Sequence, residues 1–356
     1  MQRNLVQVDR ILQTAETVTV VDSFGISRDS QMLVLTRALD PGTIQEQFDR
    51  HLKHPYQQSS RFRLVSIRVT RHKAGRRCLI EYDVEEDGCS HLVTLVGKAR
   101  SKGVDQATFH LQKVLWNNGF GREELDTVRV PEPVGIIPDL HLWLQRKVPG
   151  QPASLLLAGE GAEELTRRIA RAINEIHQAK VPATHRHTIS DELHILQERL
   201  CIVEGMHPEW SIRLKKIYSG CERQSRLITD PQNTYIHRDF YPEHVLVDGQ
   251  FLYLLDFDLY CAGDPGLDMG NFIGHLTEQA VRTRRNPEAF KAIEKALEDS
   301  FTELAAEDGL SVSTIRTSIQ VYTLLTLARH IYLSTCFPER MAFTEDLIDL
   351  CEQRLT

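Results

Sequence analysis

The chain lacks the features that mark several large classes of protein. Its seven cysteines form no Cys-x-x-Cys pair and follow no regular spacing, so neither a zinc site nor a disulfide framework is indicated. No apolar run approaches the roughly 20 residues of a membrane-spanning helix, and the start, MQRNLVQVDR, lacks the apolar core of a signal peptide. Basic residues are not in excess, because the net charge is -7, which argues against nucleic acid as a partner. We therefore expect a soluble, cytoplasmic protein that binds neither nucleic acid nor membrane.

The remaining composition is that of an ordinary globular protein, and 356 residues are enough for two domains or for one two-lobed domain. Runs rich in β-branched residues at 64–70, 78–84 and 92–96 predict a three-stranded meander, and a helix is predicted over Gln106–Asn117. Beyond Gly150 apolar residues recur at helical spacing. We expect residues 1–55 to be an N-terminal extension without an assigned role, 56–148 a small β-rich lobe, and 149–356 a larger, mainly helical lobe.

Residues 235–258, YIHRDFYPEHVLVDGQFLYLLDFD, carry the strongest chemical pattern of the chain. Phosphoryl transfer needs one carboxylate to orient the attacking hydroxyl and a second to bridge metal and phosphates. Asp239 has the first position. Asp256 follows the apolar run 251–255, where an ionised carboxylate requires a partner such as a metal ion. Asp258, two residues on, is expected on the same strand face as Asp256, where a role in the site and a surface role are equally open.

Two histidines accompany these carboxylates. We expect His237 to pack against the neighbouring turn rather than to react. His244 stands five residues after Asp239, where an amide oxygen would suit Mg²⁺, and imidazole nitrogen suits softer metals better. Three interpretations remain open: His244 binds a metal such as Mn²⁺, it contacts a phosphate or water while Asp256 carries the metal, or catalysis is impaired.

The first lobe supplies candidate nucleotide-binding residues. Lys98 follows the third predicted strand, where a lysine could pair with the α- and β-phosphates of a nucleotide. The turn between the first two strands, HKAGRR, has one glycine, Gly75, beside cationic residues that include Arg76. This turn could cover phosphates or could simply be a solvated loop.

Together these residues resemble the aminoglycoside phosphotransferase family, within the kinase-like superfold that includes choline kinases. The resemblance is most specific at HRDFYPEHVLV and LLDFDLYCAGDPGLDMGNF. It implies a kinase-like two-lobed α+β fold, Asp239 as catalytic base, Asp256 as metal-binding aspartate and Lys98 as phosphate-binding lysine. It further implies a structural role for Asp264 and Asp268. The segment that would contact adenine is matched by Gln145, Lys147 and Val148.

Three positions depart from the family pattern. His244 replaces an asparagine, the glycine-rich loop is reduced to Gly75, and no glutamate in the helix after Lys98 can pair with it, which leaves Asp105 or nothing. The resemblance implies an ATP-dependent phosphotransferase with Mg²⁺, or Mn²⁺, between its lobes. Its acceptor would be the hydroxyl of an aminoglycoside, a sugar or an amino alcohol. The alternative is a nucleotide-binding pseudokinase that acts through a protein partner. The sequence does not indicate whether the protein is a monomer or an oligomer.

Overall fold

The computed structural model describes residues 18–52, 61–121, 127–229 and 231–356. The first residues, on which the expectation about a signal peptide rests, lie outside these ranges. The strands are β1 (Thr19–Val21), β2 (Phe62–Lys73), β3 (Arg77–Glu86), β4 (Val93–Arg100), β5 (Val128–Arg129), β6 (Pro133–Ile137), β7 (Leu142–Arg146), β8 (Gln151–Pro152), β9 (Thr234–Ile236), β10 (Val245–Asp248), β11 (Phe251–Leu254) and β12 (Cys261–Gly263). The helices are α1 (Val34–Ala38), α2 (Pro41–His51), α3 (Gln106–Asn117), α4 (Ala153–Leu156), α5 (Ala162–Gln178), α6 (Ile189–Met206), α7 (Ser211–Ser225), α8 (Gly266–Arg284), α9 (Lys291–Glu307), α10 (Val312–Thr335) and α11 (Thr344–Arg354).

The described residues separate into two compact units. The first contains the described residues up to Phe109 together with 133–147, and the second contains those of 110–132 and 148–356. Each unit has its own apolar core. In the described part of the chain, no helix is both long and apolar enough to span a membrane.

The first unit is built on a six-stranded sheet in the order β1-β2-β3-β4-β7-β6. The predicted meander is confirmed, because β2, β3 and β4 pair antiparallel in sequence order. Buried and exposed side chains alternate along β4, so that Leu95 and Ala99 face the core while Lys98 lies on the opposite face. The order of these strands is therefore as predicted, but β4 extends to Arg100, so Lys98 lies within the strand and not after it as expected.

Residues from the start of the described chain cover the core face of this sheet. Ile44 and Phe48 of α2 are fully buried in the same core as the strands, and the Phe48 ring packs edge-on against Tyr82 of β3. The buried Tyr82 hydroxyl donates to the Ala38 carbonyl at 3.1 Å. This segment thus forms part of the first unit's core.

The second unit is mainly helical, as predicted. The apolar stripe of α5, which includes Leu165, Ile169 and Ile173, lies in its core. Helices α8 and α10 approach closely at Gly270, where a Cβ atom would lie 2.7 Å from the Ile319 carbonyl oxygen. A side chain larger than hydrogen would therefore push these two helices apart.

A short hairpin of β10 and β11 brings distant residues of the 235–258 segment together. Its register pairs Val245 with Leu254, and the Leu255 N–H donates to the His244 carbonyl at 2.9 Å. His244 therefore lies opposite Leu255 and beside Asp256 at one end of the hairpin. Because the hairpin turns at its opposite end, His244 and Asp256 are neighbours in space although the whole hairpin lies between them in the sequence.

Candidate functional site

The loop after β9 is held by one buried carboxylate. Asp268, at the start of α8, is fully buried and accepts the backbone N–H groups of His237 at 2.8 Å and of Arg238 at 2.6 Å. It also bonds the His177 ring nitrogen at 2.8 Å. Arg238 has a left-handed backbone, with φ of 67°, which a non-glycine residue adopts only where its surroundings hold it there. The carboxylate thus holds the strained residue that precedes Asp239.

His237 connects this loop to the end of β11. Its side chain is buried, and Nε2 donates to the Leu255 carbonyl at 2.8 Å. Burial lowers the pKa of His237, so the ring is neutral and carries its proton on the nitrogen that makes this bond. The position agrees with the expected packing role, because the ring joins the segment of Asp239 to that of Asp256.

Asp239, His244 and Asp256 come together at the open side of this framework. One possible ligand atom from each lies within 4.8 Å of the others. The carboxylates of Asp239 and Asp256 are 37% and 24% exposed, so a small ligand can reach both. Within the described residues this is the only group of three or more His, Cys, Asp or Glu side chains that could hold a metal ion.

The tautomer of His244 distinguishes the two carboxylates. Nδ1 lies 2.8 Å from the Asp239 carbonyl, which can only accept, so Nδ1 carries the proton. The lone pair is then on Nε2, which lies 3.9 Å from Asp256 Oδ2. A metal ion sits about 2.0–2.2 Å from nitrogen and oxygen ligands, so the two atoms are close enough for one ion to bind both after a small side-chain adjustment. The residues present therefore fit a divalent metal at His244 and Asp256, with Asp239 beside it.

Asp258 lies differently from what the sequence suggested. Strand β11 ends at Leu254, Asp256 has a left-handed backbone with φ of 63°, and Asp258 lies in a short 3₁₀ turn over Phe257–Leu259. The expectation that Asp258 shares a strand face with Asp256 is therefore wrong, because the strand has ended and two-residue alternation no longer applies. Phe257 between them is buried in the core.

Helix α8 supplies further support that the sequence argument did not single out. Asn271 donates to the Phe240 carbonyl at 3.0 Å, and its own oxygen accepts from Arg329 at 2.6 Å. The Tyr241 ring stacks on His275, with centroids 4.5 Å apart, and also contacts the His244 ring at 4.0 Å. Asn271 lies within the quoted DMGNF segment, but its partner is 31 residues away and no local pattern identifies the contact.

The first unit holds the predicted nucleotide-binding residues Lys98 and Gln145 on one face of its sheet. The register pairs Lys98 with Trp143 and Val96 with Gln145, and the Lys98 ammonium lies 5.0 Å from the centre of the Trp143 ring. Asp105 is engaged elsewhere, since one of its oxygens lies 3.1 Å from Arg100 and the other accepts the Thr108 N–H. The helix that follows thus starts with a capping aspartate rather than with a carboxylate aimed at Lys98.

The other predicted nucleotide residues lie at the ends of strands. Gly75 and Arg76 form the tip between β2 and β3, where the Gly75 N–H donates to Asp29 at 2.7 Å. Lys147 follows β7 and forms an ion pair with Glu81 at 2.7 Å, while Val148 belongs to the second unit. The hairpin tip is therefore tied to the N-terminal segment, a connection that nothing in the local sequence indicates.

Comparison with known structures gives the fold. The choline kinase from Cryptosporidium parvum Iowa II shares 12% identity, with a TM-score of 0.58 over 92% of this chain and 95% of that chain. An amicoumacin kinase in complex with AMP-PNP, Ca²⁺ and amicoumacin shares 14%, with a TM-score of 0.56 over 80% and 88%. A choline/ethanolamine kinase family protein from Mesorhizobium loti shares 12%, with a TM-score of 0.54 over 81% and 87%. These likenesses confirm the predicted kinase-like α+β fold.

Comparison of sequences gives the family. No curated protein sequence matches this chain. The family model described as the phosphotransferase enzyme family matches residues 102–307, which is more than half of the chain and includes Asp239, His244, Asp256 and Asp268. The resemblance inferred from the motifs is thereby confirmed, and the chain belongs to the phosphotransferase enzyme family.

Proposed function

We propose that this chain is an ATP-dependent small-molecule O-phosphotransferase that transfers the γ-phosphate to an acceptor hydroxyl. The acceptor would be an aminoglycoside, a sugar or an amino alcohol, as the family resemblance implies. One observation carries the proposal: Asp239, His244 and Asp256 converge within 4.8 Å on a loop held by buried hydrogen bonds. Preorganised positioning of this kind is what phosphoryl transfer requires of a protein.

Asp239 is the proposed catalytic residue. Its carboxylate is more than one-third exposed and can accept a hydrogen bond from an acceptor hydroxyl, orienting the oxygen and later taking its proton. His244 keeps the Asp239 backbone in place through the bond from Nδ1. A rigid carboxylate beside an open surface suits the alignment of a small alcohol.

His244 and Asp256 are the proposed metal ligands, for Mg²⁺ or for Mn²⁺. A bound divalent ion would neutralise charge on the nucleotide phosphates. The imidazole Nε2 lone pair favours Mn²⁺ over Mg²⁺, because Mg²⁺ prefers oxygen ligands. The amicoumacin kinase with a related fold was solved with AMP-PNP and Ca²⁺, which supports the use of a nucleotide and a divalent ion.

Residues of the first unit, together with Val148, supply the proposed nucleotide contacts. We assign the phosphates to Lys98, with Gly75 and Arg76 at the hairpin tip, and the base to Gln145, Lys147 and Val148. The placement of Lys98 and Gln145 on the same sheet face supports this assignment. We place the enzyme in the cytoplasm, which is supported by seven cysteines that are all free.

Release of ADP across a panel of aminoglycosides, sugars and amino alcohols tests the proposal. We expect Asp239→Ala to reduce turnover by about 100-fold or more, the range of a lost acid–base residue. The exposed Asp248 of the same segment supplies the matched control, and Asp248→Ala should retain activity. Separately, ATP with Mn²⁺ should raise the melting temperature of the wild type but not that of Asp256→Ala.

Three results separate the alternatives. Turnover that depends on Asp239 supports the enzyme. Stabilisation by nucleotide and metal without phosphoryl transfer to any acceptor or to water would favour the pseudokinase. Neither stabilisation nor turnover would refute both interpretations.

A further inference from the structure

A stripe of polar side chains leads away from the catalytic loop along α8. Tyr241, two residues after Asp239, stacks on His275, and His275 meets the His330 ring edge-on with centroids 4.5 Å apart. His330 is 2% exposed, and its Nε2 has no hydrogen-bond partner among the described residues. An orphaned polar atom in a native fold calls for an explanation. The stripe therefore begins two residues after Asp239, the residue that the acceptor must approach.

Four arginines surround this stripe and share two buried carboxylates. Arg329 and Arg238 flank Glu192, at 3.4 Å and 3.9 Å, and the Nε of Arg238 has no hydrogen-bond partner in the described chain. Arg282 and Arg340 flank Glu278 in the same way, at 2.9 Å and 3.9 Å. We call this group the arginine cluster: Arg238, Arg282, Arg329 and Arg340.

The four arginines of the cluster outnumber the two glutamates, Glu192 and Glu278, that form ion pairs with them in the described part of the chain. Glu192 and Glu278 are 8% and 7% exposed, so both are enclosed by their arginines. The four arginine side chains remain between 21% and 31% exposed, so a ligand can reach them from solvent. The local excess is opposite in sign to the net charge of the whole chain. It is therefore a feature of this surface and not of the composition.

The two histidines, His275 and His330, add no charge of their own to this surface. Burial lowers the pKa of His330 to about 3, and the charges of Arg329 and Arg340 act in the same direction. Burial also holds the pKa of His275 well below its ordinary value. Both rings are thus neutral at physiological pH and can donate or accept hydrogen bonds.

We propose that the acceptor of this enzyme bears an anionic group, a carboxylate or a phosphate ester, which the arginine cluster binds while Asp239 orients the acceptor hydroxyl. The inference rests on the proposed function and narrows its acceptor classes. An amine would meet a field of the same sign. The two exposed carboxylates of the site, Asp239 and Asp256, are already assigned to the hydroxyl and to the metal.

The physical reason is the geometry of guanidinium groups. Arginine offers several N–H donors in a plane and binds carboxylate or phosphate oxygens in pairs. Hydrogen bonds between charged groups are stronger than those between neutral groups, so loss of one arginine contact should weaken anion binding by about 10-fold or more. A positively charged acceptor would instead be repelled by the guanidinium charges and bind more weakly.

Binding without turnover tests the anion site directly. Titration calorimetry with inorganic phosphate, D-glycerate and choline compares a phosphate, a hydroxy acid and a quaternary amine. We expect phosphate or glycerate to bind and choline to bind at least about 10-fold more weakly. Arg340→Gln and Arg282→Gln should each weaken the anion about 10-fold, while Arg284→Gln, an exposed charge on the same helix, should not. Tighter binding of phosphate indicates a phosphate-ester acceptor, and tighter binding of glycerate indicates a carboxylate acceptor.

ADP release on matched acceptors separates the two proposals. The sugars glucosamine, glucose, gluconate and glucose 6-phosphate share a polyol frame and differ in charge. Turnover on the acids above that on the amine supports both proposals. Preference for glucosamine or choline, or anion binding that ignores Arg282 and Arg340, refutes the anionic acceptor and leaves the phosphotransferase standing. Anion binding that depends on these arginines, with no ADP release on any acceptor, supports the site and refutes the proposed function.

Discussion

Replacement of His244 by asparagine should change which metal supports activity. In the wild type, the Nε2 lone pair faces Asp256 at 3.9 Å because Nδ1 is committed to the Asp239 carbonyl. Nitrogen ligands favour Mn²⁺ over Mg²⁺, whereas an amide oxygen suits Mg²⁺. We expect the ratio of Mg²⁺-supported to Mn²⁺-supported turnover to rise about 10-fold in His244→Asn, equivalent to about 1.4 kcal/mol of relative metal affinity.

The same substitution has a cost in stability that the structure allows us to estimate. It removes the bond from Nδ1 to Asp239 and the ring contact with Tyr241 at 4.0 Å. A hydrogen bond contributes about 0.5–1.5 kcal/mol and an aromatic contact about as much, so about 1–3 kcal/mol should be lost. The melting temperature should fall by several degrees in the absence of metal, and the metal ratio should change independently of that fall.

Two measurements check this prediction. ADP release is followed against the concentration of each metal at saturating acceptor, and the melting temperature of nucleotide-free protein is followed against each metal. His275→Asn is the matched control, because His275 also stacks on Tyr241 but is not one of the three residues that could hold the metal. Its metal ratio should stay that of the wild type. If His244→Asn leaves both the activity ratio and the thermal response to Mn²⁺ unchanged, His244 does not bind the metal.

Three further substitutions test the framework of the second unit. Asp268→Asn removes a buried carboxylate that holds the catalytic loop, so it should cost about 3 kcal/mol or more by urea unfolding, and a loss below 1 kcal/mol would contradict its role. Gly270→Ala should cost about 1–3 kcal/mol because its Cβ would lie 2.7 Å from the facing helix, while Gly205→Ala, with open space around it in α6, should be neutral or slightly stabilising. Equal effects of these two alanines would refute the close-packing argument. Although burial raises the pKa of Glu192, the hydrogen bond from His187 and the nearby arginine charges hold it below its ordinary 4.5. The ionised Glu192 therefore stabilises the folded state above pH 4.5, and this stabilisation is lost as the pH falls through the lower pKa of the folded state. Glu192→Gln should flatten the fall in melting temperature at acid pH. An unchanged pH profile of the melting temperature would contradict this.

The prediction of the first unit succeeded because its signals are local. Alternating β-branched residues predict strands, and short turns leave antiparallel pairing of consecutive strands as the simplest arrangement. The order of the strands was therefore predicted correctly, although β4 extends to Arg100 and includes Lys98, which was expected after the strand. The hydrogen bond from the Gly75 N–H to Asp29 joins residues 46 positions apart, and no periodicity within either segment indicates it.

The prediction of Asp258 failed for a reason that concerns backbone conformation. A strand was expected to continue through Asp256, but that residue has a left-handed backbone and the chain turns into a 3₁₀ helix. Asp256 and Asp258 keep their two-residue spacing while losing the common face. Spacing predicts a shared face only as long as the secondary structure continues.

The amino-acid sequence by itself determined the chemical groups of the site. The identities and spacing of Asp239, His244 and Asp256 predict a phosphotransferase, and the family comparison agrees. These residues lie within one short segment, and the hairpin that brings them together is encoded by its own strands and turn.

The tertiary structure decided how those groups are oriented and what surrounds them. The tautomer of His244 depends on a carbonyl in its own loop, and that loop is held by Asp268 from α8, 30 or more residues away. The arginine cluster combines the loop, α8, α10 and the turn at Arg340. Contacts between such distant segments depend on how the helices pack. For that reason the acceptor's charge could be inferred only from the folded chain.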